Sequence, residues 1–583
     1  IIVMKKEYIK LDPKDNVIVL LKDKNAGETI NIQNGIDILL QDNIKAGHKV
    51  AIRDIAAGEK IIKYGYPIGH ATKDIYTGQW VHTHNIKTNL EGKLDYSHIK
   101  EIIKSRNKID GNDWKNFIND SDINDFDHGL DNENDHRCET EIPVSSFMGY
   151  VREDGSVGTR NEIWIINTVG CVNKTAEILV KEANRMFSDK IGESVDGVFA
   201  FPHPYGCSQF GEDHFTTQKI LADLCMHPNA AGVLVLGLGC ENNNINEFKK
   251  VLESNVLLRN QNNRINNSNN SNNNSSSNSN NNNSNNNKNG ECDDKTINSL
   301  INSRRIKFLS TQDCEDEISC GLKLIGELIE YASVFKRQEC PVSKLKVGLK
   351  CGGSDAFSGI TANPLCGKFS DLLLRNKGTT ILTEVPEMFG AETILMERSE
   401  NEEIFNKIVN MINGFKDYYI SYNQPVYENP SPGNKEGGIT TLEEKSLGCI
   451  LKGGSGIVTD VLNYGERLRK SGLNLLEGPG NDAVSITALT AAGANLIIFT
   501  TGRGTPFGGP VPTIKVSTTT QLYNRKKSWI DYDAGQLLEG RSMDEMARDL
   551  YNFVISVASG NIRTKNEING YKEIAIFKNG ITV

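Results

Sequence analysis

The chain has 583 residues, 38% of them hydrophobic, with 65 Lys+Arg against 74 Asp+Glu. The net charge of −9 excludes a broad electrostatic grip on nucleic acid or on an anionic membrane. The length predicts two to four domains and a core large enough to stand without disulfide staples. The longest apolar run, Ala230–Gly239, falls short of the ~20 residues that span a bilayer. The start, Ile1-Ile-Val-Met4-Lys, carries no apolar signal core and leaves two readings, a fragment or translation from Met4. Twelve cysteines without a CxxC pair or a secretion signal point to reduced thiols in the cytoplasm.

In chain order, residues 5–95 read as a small β-clip. Short runs such as Val17–Leu21 and Ile36–Leu40 alternate with Gly27, Gly47, Gly58 and Gly78 at intervals of about ten residues. Residues 96–145 are acidic and Asn-rich, and read as a linker. From 146 onward the chain alternates strands with helices, the pattern of a mainly parallel α/β sheet. Strands are expected at Gly197–Phe201, Gly232–Leu238, Ile306–Leu309, Lys346–Lys350, Thr379–Thr383 and Ala494–Thr500. Helices are expected at Thr175–Phe187, Phe215–Met226, Asp316–Phe335 and Lys368–Asn376. A break near Gln338-Glu-Cys-Pro341 divides this region into lobes at 146–340 and 341–583. Within the first lobe, residues 260–290 are almost entirely Asn and Ser, cannot bury enough surface to order themselves, and read as a disordered insertion.

Ligands of open α/β sheets bind beyond the carboxyl ends of the strands. Those ends carry Cys207, the sequence Cys240-Glu241, Cys351-Gly-Gly-Ser-Asp355, Glu384-Val-Pro-Glu387 and Gly502-Arg503-Gly504. A buried thiol is the plain reading for each cysteine, a solvated helix start for Glu384 and Glu387, and an N-cap for Asp355. Arg503 between two glycines reads as an anion site, since small neighbours admit a carboxylate to the guanidinium. All ten histidines lie at or before His227. If Trp80–His84 is a strand, His82 and His84 share a face and suit metal or base duty. Gly237-Leu-Gly-Cys-Glu-Asn242 lacks the third glycine of a dinucleotide fingerprint, which weighs against a nucleotide-dependent oxidoreductase.

The sequence resembles the altronate/galactarate dehydratase family from about Tyr8 to Val583. The resemblance is carried by Lys63-Tyr-Gly-Tyr-Pro-Ile-Gly69, His82-Thr-His-Asn85, Gly158-Thr-Arg-Asn-Glu162 and Thr168-Val-Gly-Cys-Val-Asn173. It continues through Tyr205-Gly-Cys-Ser-Gln209, Gly237-Leu-Gly-Cys-Glu-Asn-Asn243, Lys350-Cys-Gly-Gly-Ser-Asp355, Gly359-Ile-Thr-Ala-Asn-Pro364 and Thr383-Glu-Val-Pro-Glu-Met-Phe-Gly-Ala-Glu392. The last set is Glu428-Asn-Pro-Ser-Pro-Gly-Asn434, Gly478-Pro-Gly-Asn-Asp482, Thr501-Gly-Arg-Gly-Thr-Pro506 and Trp529-Ile-Asp-Tyr-Asp-Ala-Gly535. The Thr383–Glu392 segment favours the altronate branch over the galactarate branch.

The resemblance implies an N-terminal SAF-type β-clip before the α/β part, and an iron(II)- or manganese(II)-dependent hydro-lyase of hexuronate breakdown. The reaction implied removes water from D-altronate to give 2-dehydro-3-deoxy-D-gluconate. Such chemistry needs a base at C2 and an acid at the departing C3 hydroxyl, with a cation to stabilise the enediolate. His82, His84 and Glu384 are the candidate catalytic groups. Metal ligands are sought among His82, His84, Cys207, Cys240, Glu241, Cys351, Asp355 and Glu387. Arg503, Asn363, Asn434 and Asn481 are candidates for holding the substrate. Convergent cysteines keep an iron–sulfur cluster as the alternative to a single ion. The expected partner is a small sugar acid, with neither nucleic acid nor membrane; the sequence permits a homo-oligomer without fixing one.

Overall fold

The structure is a computed structural model and describes residues 7–32, 36–106, 144–255 and 304–581. The expected insertion at 260–290 lies outside the described residues, as does most of the 96–145 linker.

The N-terminal module is built from short antiparallel strands. One sheet has the order Tyr8–Ile9, Val17–Leu20, Lys49–Ala51, Trp80–Val81; a second has Lys60–Lys63, Tyr66–Ala71, Ile86–Lys87; a hairpin joins Thr29–Ile32 to Ile36–Leu39. Val17–Leu20 is buried on both faces, which explains its unbroken apolar sequence. The expected strand to His84 stops at Val81. Asn85 ends it by accepting from the His82 backbone N–H at 2.9 Å and folding 82–85 into a turn, so strand alternation does not place His82 and His84 on one face. The linker also starts later than expected. Ser97–Arg106 is a helix, and Ile99 and Ile103 bury its apolar stripe in the main core.

Each lobe is a parallel sheet. The first has the order Gly197–Ala200, Glu162–Asn167, Ala230–Gly237, Ile306–Ser310. The second has seven strands, ordered Val458–Leu462, Gly472–Leu476, Thr379–Leu382, Lys346–Cys351, Leu496–Thr501, Thr513–Ser517, Tyr532–Asp533. In both, the chain winds outward to one side and then returns to the other. The switch points fall between Glu162–Asn167 and Ala230–Gly237 in the first lobe, and between Lys346–Cys351 and Leu496–Thr501 in the second. Ligand crevices are expected beyond those strand ends. The expected break at Gln338–Pro341 is itself a strand, paired antiparallel with Ser146–Val151 at the start of the first lobe. The lobes also share a core, in which Trp164, Phe201 and Ile220 pack with Ile381, Ile486 and Phe499.

The β module docks through charge as well as apolar contact. Lys49 and Lys63, both fully buried, donate to the Glu444 carboxylate at 2.9 and 2.8 Å, and Thr440 adds its backbone N–H and hydroxyl at 2.8 and 2.7 Å. Burial opposes the charge on Glu444, but the two ammonium groups outweigh it and hold the carboxyl far below its ordinary 4.5. Its stabilising contribution is therefore complete above pH 4.5 and lost as the pH falls further. Glu444→Gln leaves two buried ammonium groups short of an anion and is expected to cost about 3–5 kcal/mol in urea unfolding. Replacing all three groups by Met, Met and Leu is expected to recover most of that loss; a Glu444→Gln protein as stable as the parent would refute the assignment.

Candidate active site

At the second switch point, two loops face each other. Cys351-Gly-Gly-Ser-Asp355 leaves one strand and Thr501-Gly-Arg-Gly504 leaves its neighbour. They touch at Gly502, where a Cβ would lie 2.2 Å from the Asp355 carboxyl carbon, so only glycine fits. Asp355 Oδ1 accepts from the Ser358 backbone N–H and hydroxyl at 3.0 and 3.1 Å, and Oδ2 accepts from Thr518 at 3.1 Å. Burial raises the Asp355 carboxyl to about 6. Arg503 is exposed and pairs with Glu436 at 3.0 Å.

The β module closes over this crevice. Lys63 and Tyr64 line it together with Ser354, Asp355, Lys445 and Cys449. His48 hydrogen-bonds to the Glu436 backbone, and its ring lies 5.1 Å from that of His82. His82 is half-buried and stacks on Trp80 at 4.8 Å; its Nδ1 has no hydrogen-bond partner among the described residues. Burial, then the nearby charges of Lys49 and His48, push His82 down to about 4, so it is neutral at physiological pH. His84 is exposed, its ring 5.2 Å from that of Trp80.

Below the crevice lies a buried network. Lys350 contacts Glu384 and lies 2.9 Å from Asp482. Lys452 donates to Cys351 Sγ at 2.9 Å and pairs with Glu384 at 3.2 Å. Lys445 pairs with Glu387 at 2.9 Å. Cys449 lies 3.0 Å from Glu387 and 3.3 Å from Cys351. Burial disfavours the Glu387 anion, but Lys445, Lys350 and Lys452 together lower it to about 2. Glu384 sits at φ +74°, a left-handed conformation that non-glycine residues rarely hold. Such strain concentrates at functional sites. The plain alternative to their catalytic and metal-ligand roles, a solvated helix start, does not hold for Glu384 and Glu387: both are buried among the three lysines.

Cys351, Glu387 and Cys449 form a group of metal-ligand atoms within 4.8 Å of one another. Their surroundings do not suit a hard divalent cation. Two of the three donors are thiols, and Lys452 and Lys445 already occupy Cys351 and Glu387. A cation there would also meet the charge of Lys350.

Several expected roles change. Asn363 is consumed inside the fold, accepting from Thr500 at 2.6 Å and donating to the Gly448 carbonyl at 2.9 Å. Asn434 is held likewise, donating to the Ser354 carbonyl at 2.7 Å and capping a short helix through Ser431. Asn481 is exposed and caps the helix Asp482–Ala492. Asp355 combines a turn-fixing role with its place on the crevice and lies apart from the thiol–carboxylate group. Cys207, Cys240 and Glu241 belong to the edge of the other sheet. Glu241 is buried and fastens its own loop, accepting from Thr168 at 2.6 Å and from the Leu238 and Gly239 N–H groups at 3.0 and 2.6 Å, so it is no free ligand. Lys350, Lys445, Lys452 and Glu444 escaped the sequence reading. Lys350 and Lys452 carried one signal, a charge within a run that is otherwise small and apolar; Glu444 and Lys445 carried none.

Three domain models match this architecture: the altronate/galactarate dehydratase SAF domain over residues 6–89, the D-galactarate dehydratase/altronate hydrolase second domain over 149–275, and the D-galactarate/altronate dehydratase C-terminal domain over 342–582. The chain belongs to the altronate/galactarate dehydratase family. It is 45% identical to the altronate dehydratase of Bacillus subtilis (strain 168), over 99% of this chain and 100% of the relative. It is 42% identical to the altronate dehydratase of Escherichia coli (strain K12), over 99% and 100%. Identity to the galactarate dehydratase (L-threo-forming) of the same E. coli strain is 30%, over 98% and 96%.

The close approach at Gly502 gives a direct test. Gly502→Ala must displace the Asp355 carboxylate and is expected to lower kcat/KM by about 100-fold. Far-ultraviolet circular dichroism should stay unchanged. Full activity in this variant would remove Asp355 from the chemistry.

Proposed function

We propose that the chain is a hydro-lyase that converts D-altronate to 2-dehydro-3-deoxy-D-gluconate in the crevice between the β module and the second switch point. The observation that carries this is the close approach of the Asp355 and Arg503 loops at Gly502, beside a crevice lined by Lys63 and Lys445. The greater identity to altronate dehydratases than to a galactarate dehydratase supports the substrate. The reading includes a cytoplasmic setting; among the described residues no helix is long and apolar enough to cross a membrane.

Arg503 and Lys445 receive the substrate carboxylate. Asp355, with its raised pKa, takes the proton from C2. The cationic side chains stabilise the charge that builds on the carboxylate as the enediolate forms. The proton that Asp355 takes from C2 leaves with the C3 hydroxyl as water, which restores the carboxylate, and the enol becomes the 2-keto acid. His82, neutral and with a free ring nitrogen, is the candidate partner for the departing hydroxyl. Iron(II) or manganese(II) belongs to this reading as the cofactor that the family resemblance implies, outside the Cys351–Glu387–Cys449 group.

Purified full-length protein supplied with ferrous or manganous salt is expected to form 2-keto acid from altronate at least about tenfold faster than from galactarate. A preference for galactarate, or no turnover by a folded protein, would overturn the proposal. Because Asp355 acts as the anion, kcat/KM should fall about tenfold per pH unit below pH 6. Asp355→Asn should remove that limb along with about 10²–10⁴ of the rate. Arg503→Gln should raise KM about 10–100-fold, the loss of a charge-assisted carboxylate contact.

A further inference from the structure

The first lobe has a switch point of its own, and three thiols stand around it. Cys171 follows the strand Glu162–Asn167, Cys207 follows Gly197–Ala200, and Cys240 follows Ala230–Gly237. These are three adjacent strands of one parallel sheet, and all three cysteines are free and exposed.

The loops that carry them are fastened to one another. The Gly170 N–H donates to the Tyr205 carbonyl at 2.9 Å, the Asn243 N–H to the Gly206 carbonyl at 3.1 Å, and the Ser208 N–H to Asn242 Oδ1 at 3.2 Å. Gly206, at φ +99°, lies so close to the neighbouring loop that a Cβ would come within 1.9 Å of the Thr168 carbonyl oxygen. Ser208, beside Cys207, is held at φ +57°. The fold thus maintains a strained arrangement around the thiols. Each loop also runs into the amino terminus of a helix, at Asn173, Gly211 and residue 245, where the helix dipole favours negative charge.

Among the described residues, the sulfur atoms of the three thiols do not form a group within 4.8 Å, the reach of a single ion. A four-iron cubane spreads its cysteine ligands wider than one ion does. Cys314, on the next strand end, interacts with Cys320. Three thiolates for four irons leave one iron without a protein ligand.

We propose that Cys171, Cys207 and Cys240 bind a [4Fe–4S] cluster whose fourth iron is open to the carboxylate and hydroxyl oxygens of a 2,3-dihydroxy acid, as a binding site separate from the reacting crevice of the second lobe. Assembly takes two ferrous ions, two ferric ions and four sulfide ions from solution and releases the three thiol protons, giving the 2+ core with no further electron transfer. Ligand exchange at the open iron displaces water or hydroxide and changes no oxidation state. The site itself stands on the first lobe's geometry; the identity of the open iron's ligand rests on the proposed hydro-lyase activity.

The test is anaerobic reconstitution of the full-length protein with ferrous and ferric iron and sulfide, followed by iron and acid-labile sulfide analysis and by electron paramagnetic resonance after reduction with dithionite. The expected content is about four of each per chain. Cys171→Ser, Cys207→Ser and Cys240→Ser should each lose at least half of it, and the triple variant nearly all. Cys351→Ser and Cys449→Ser should keep it. Iron bound without sulfide, or a triple variant that retains the cluster, would overturn the site. Altronate should shift the resonance of the reduced cluster, and an unchanged spectrum would overturn the open-iron assignment. Cluster content is read without turnover, so an inactive protein that still assembles the cluster would count against the substrate and not against the site.

Discussion

Charge balance away from water governs this protein. Lys350, Lys445 and Lys452 lie buried under the second sheet's carboxyl edge, with Glu384 and Glu387 between them. Lys49 and Lys63 enclose Glu444 a short distance along the same helix as Lys445. An unpaired ion at any of these places would cost several kcal/mol, so each charge fixes the position of the next. The helix Leu442–Ile450, buried at every residue, is the shared element: Glu444 ties down the β module, Lys445 reaches the glutamates, and Cys449 faces the crevice. Docking of the module and shaping of the crevice are therefore one event.

The two sheets divide the chemistry by softness. The second lobe gathers nitrogen cations and carboxylates around its switch point, a setting for acids and proton transfer. The first lobe gathers sulfur around its own. At the second lobe's switch point Cys351 and Cys449 are buried and hydrogen-bonded to lysine or glutamate, whereas Cys171, Cys207 and Cys240 at the strand ends of the first are exposed. The same residue type thus serves packing and charge balance in one lobe and faces solvent in the other.

Much of the fold was legible in the sequence because apolar runs of β-branched residues mark buried parallel strands. Ile306–Ser310 and Lys346–Cys351 fall within a residue or so of their expected bounds. Gly472–Leu476 was missed because Asn474 interrupts its apolar run, and Glu162–Asn167 because its apolar run is only four residues between a charged and a polar end, although every residue of the two strands but Gly472 is buried. The strand-end rule located Asp355, Arg503, Glu384 and the cysteines. It could not say which belonged together, because sheet order is a long-range property. It therefore grouped Cys351 with Cys207 and Cys240 and passed over Cys171. The buried lysines were illegible for a different reason: the sequence Leu442-Glu-Glu-Lys445 has the composition of a solvated helix, and only tertiary ion pairing makes it a core element.

The strand Gln338–Pro341 pairs with Ser146–Val151, so the second lobe begins by completing a ribbon that the first lobe opened. With a common apolar core behind that ribbon, the two lobes have no hinge of their own. Admission and release of a ligand at the second crevice then fall to the β module, whose grip is ionic as well as apolar. Acid, or a strongly charged ligand that competes for Lys63, loosens the gate before it loosens the frame.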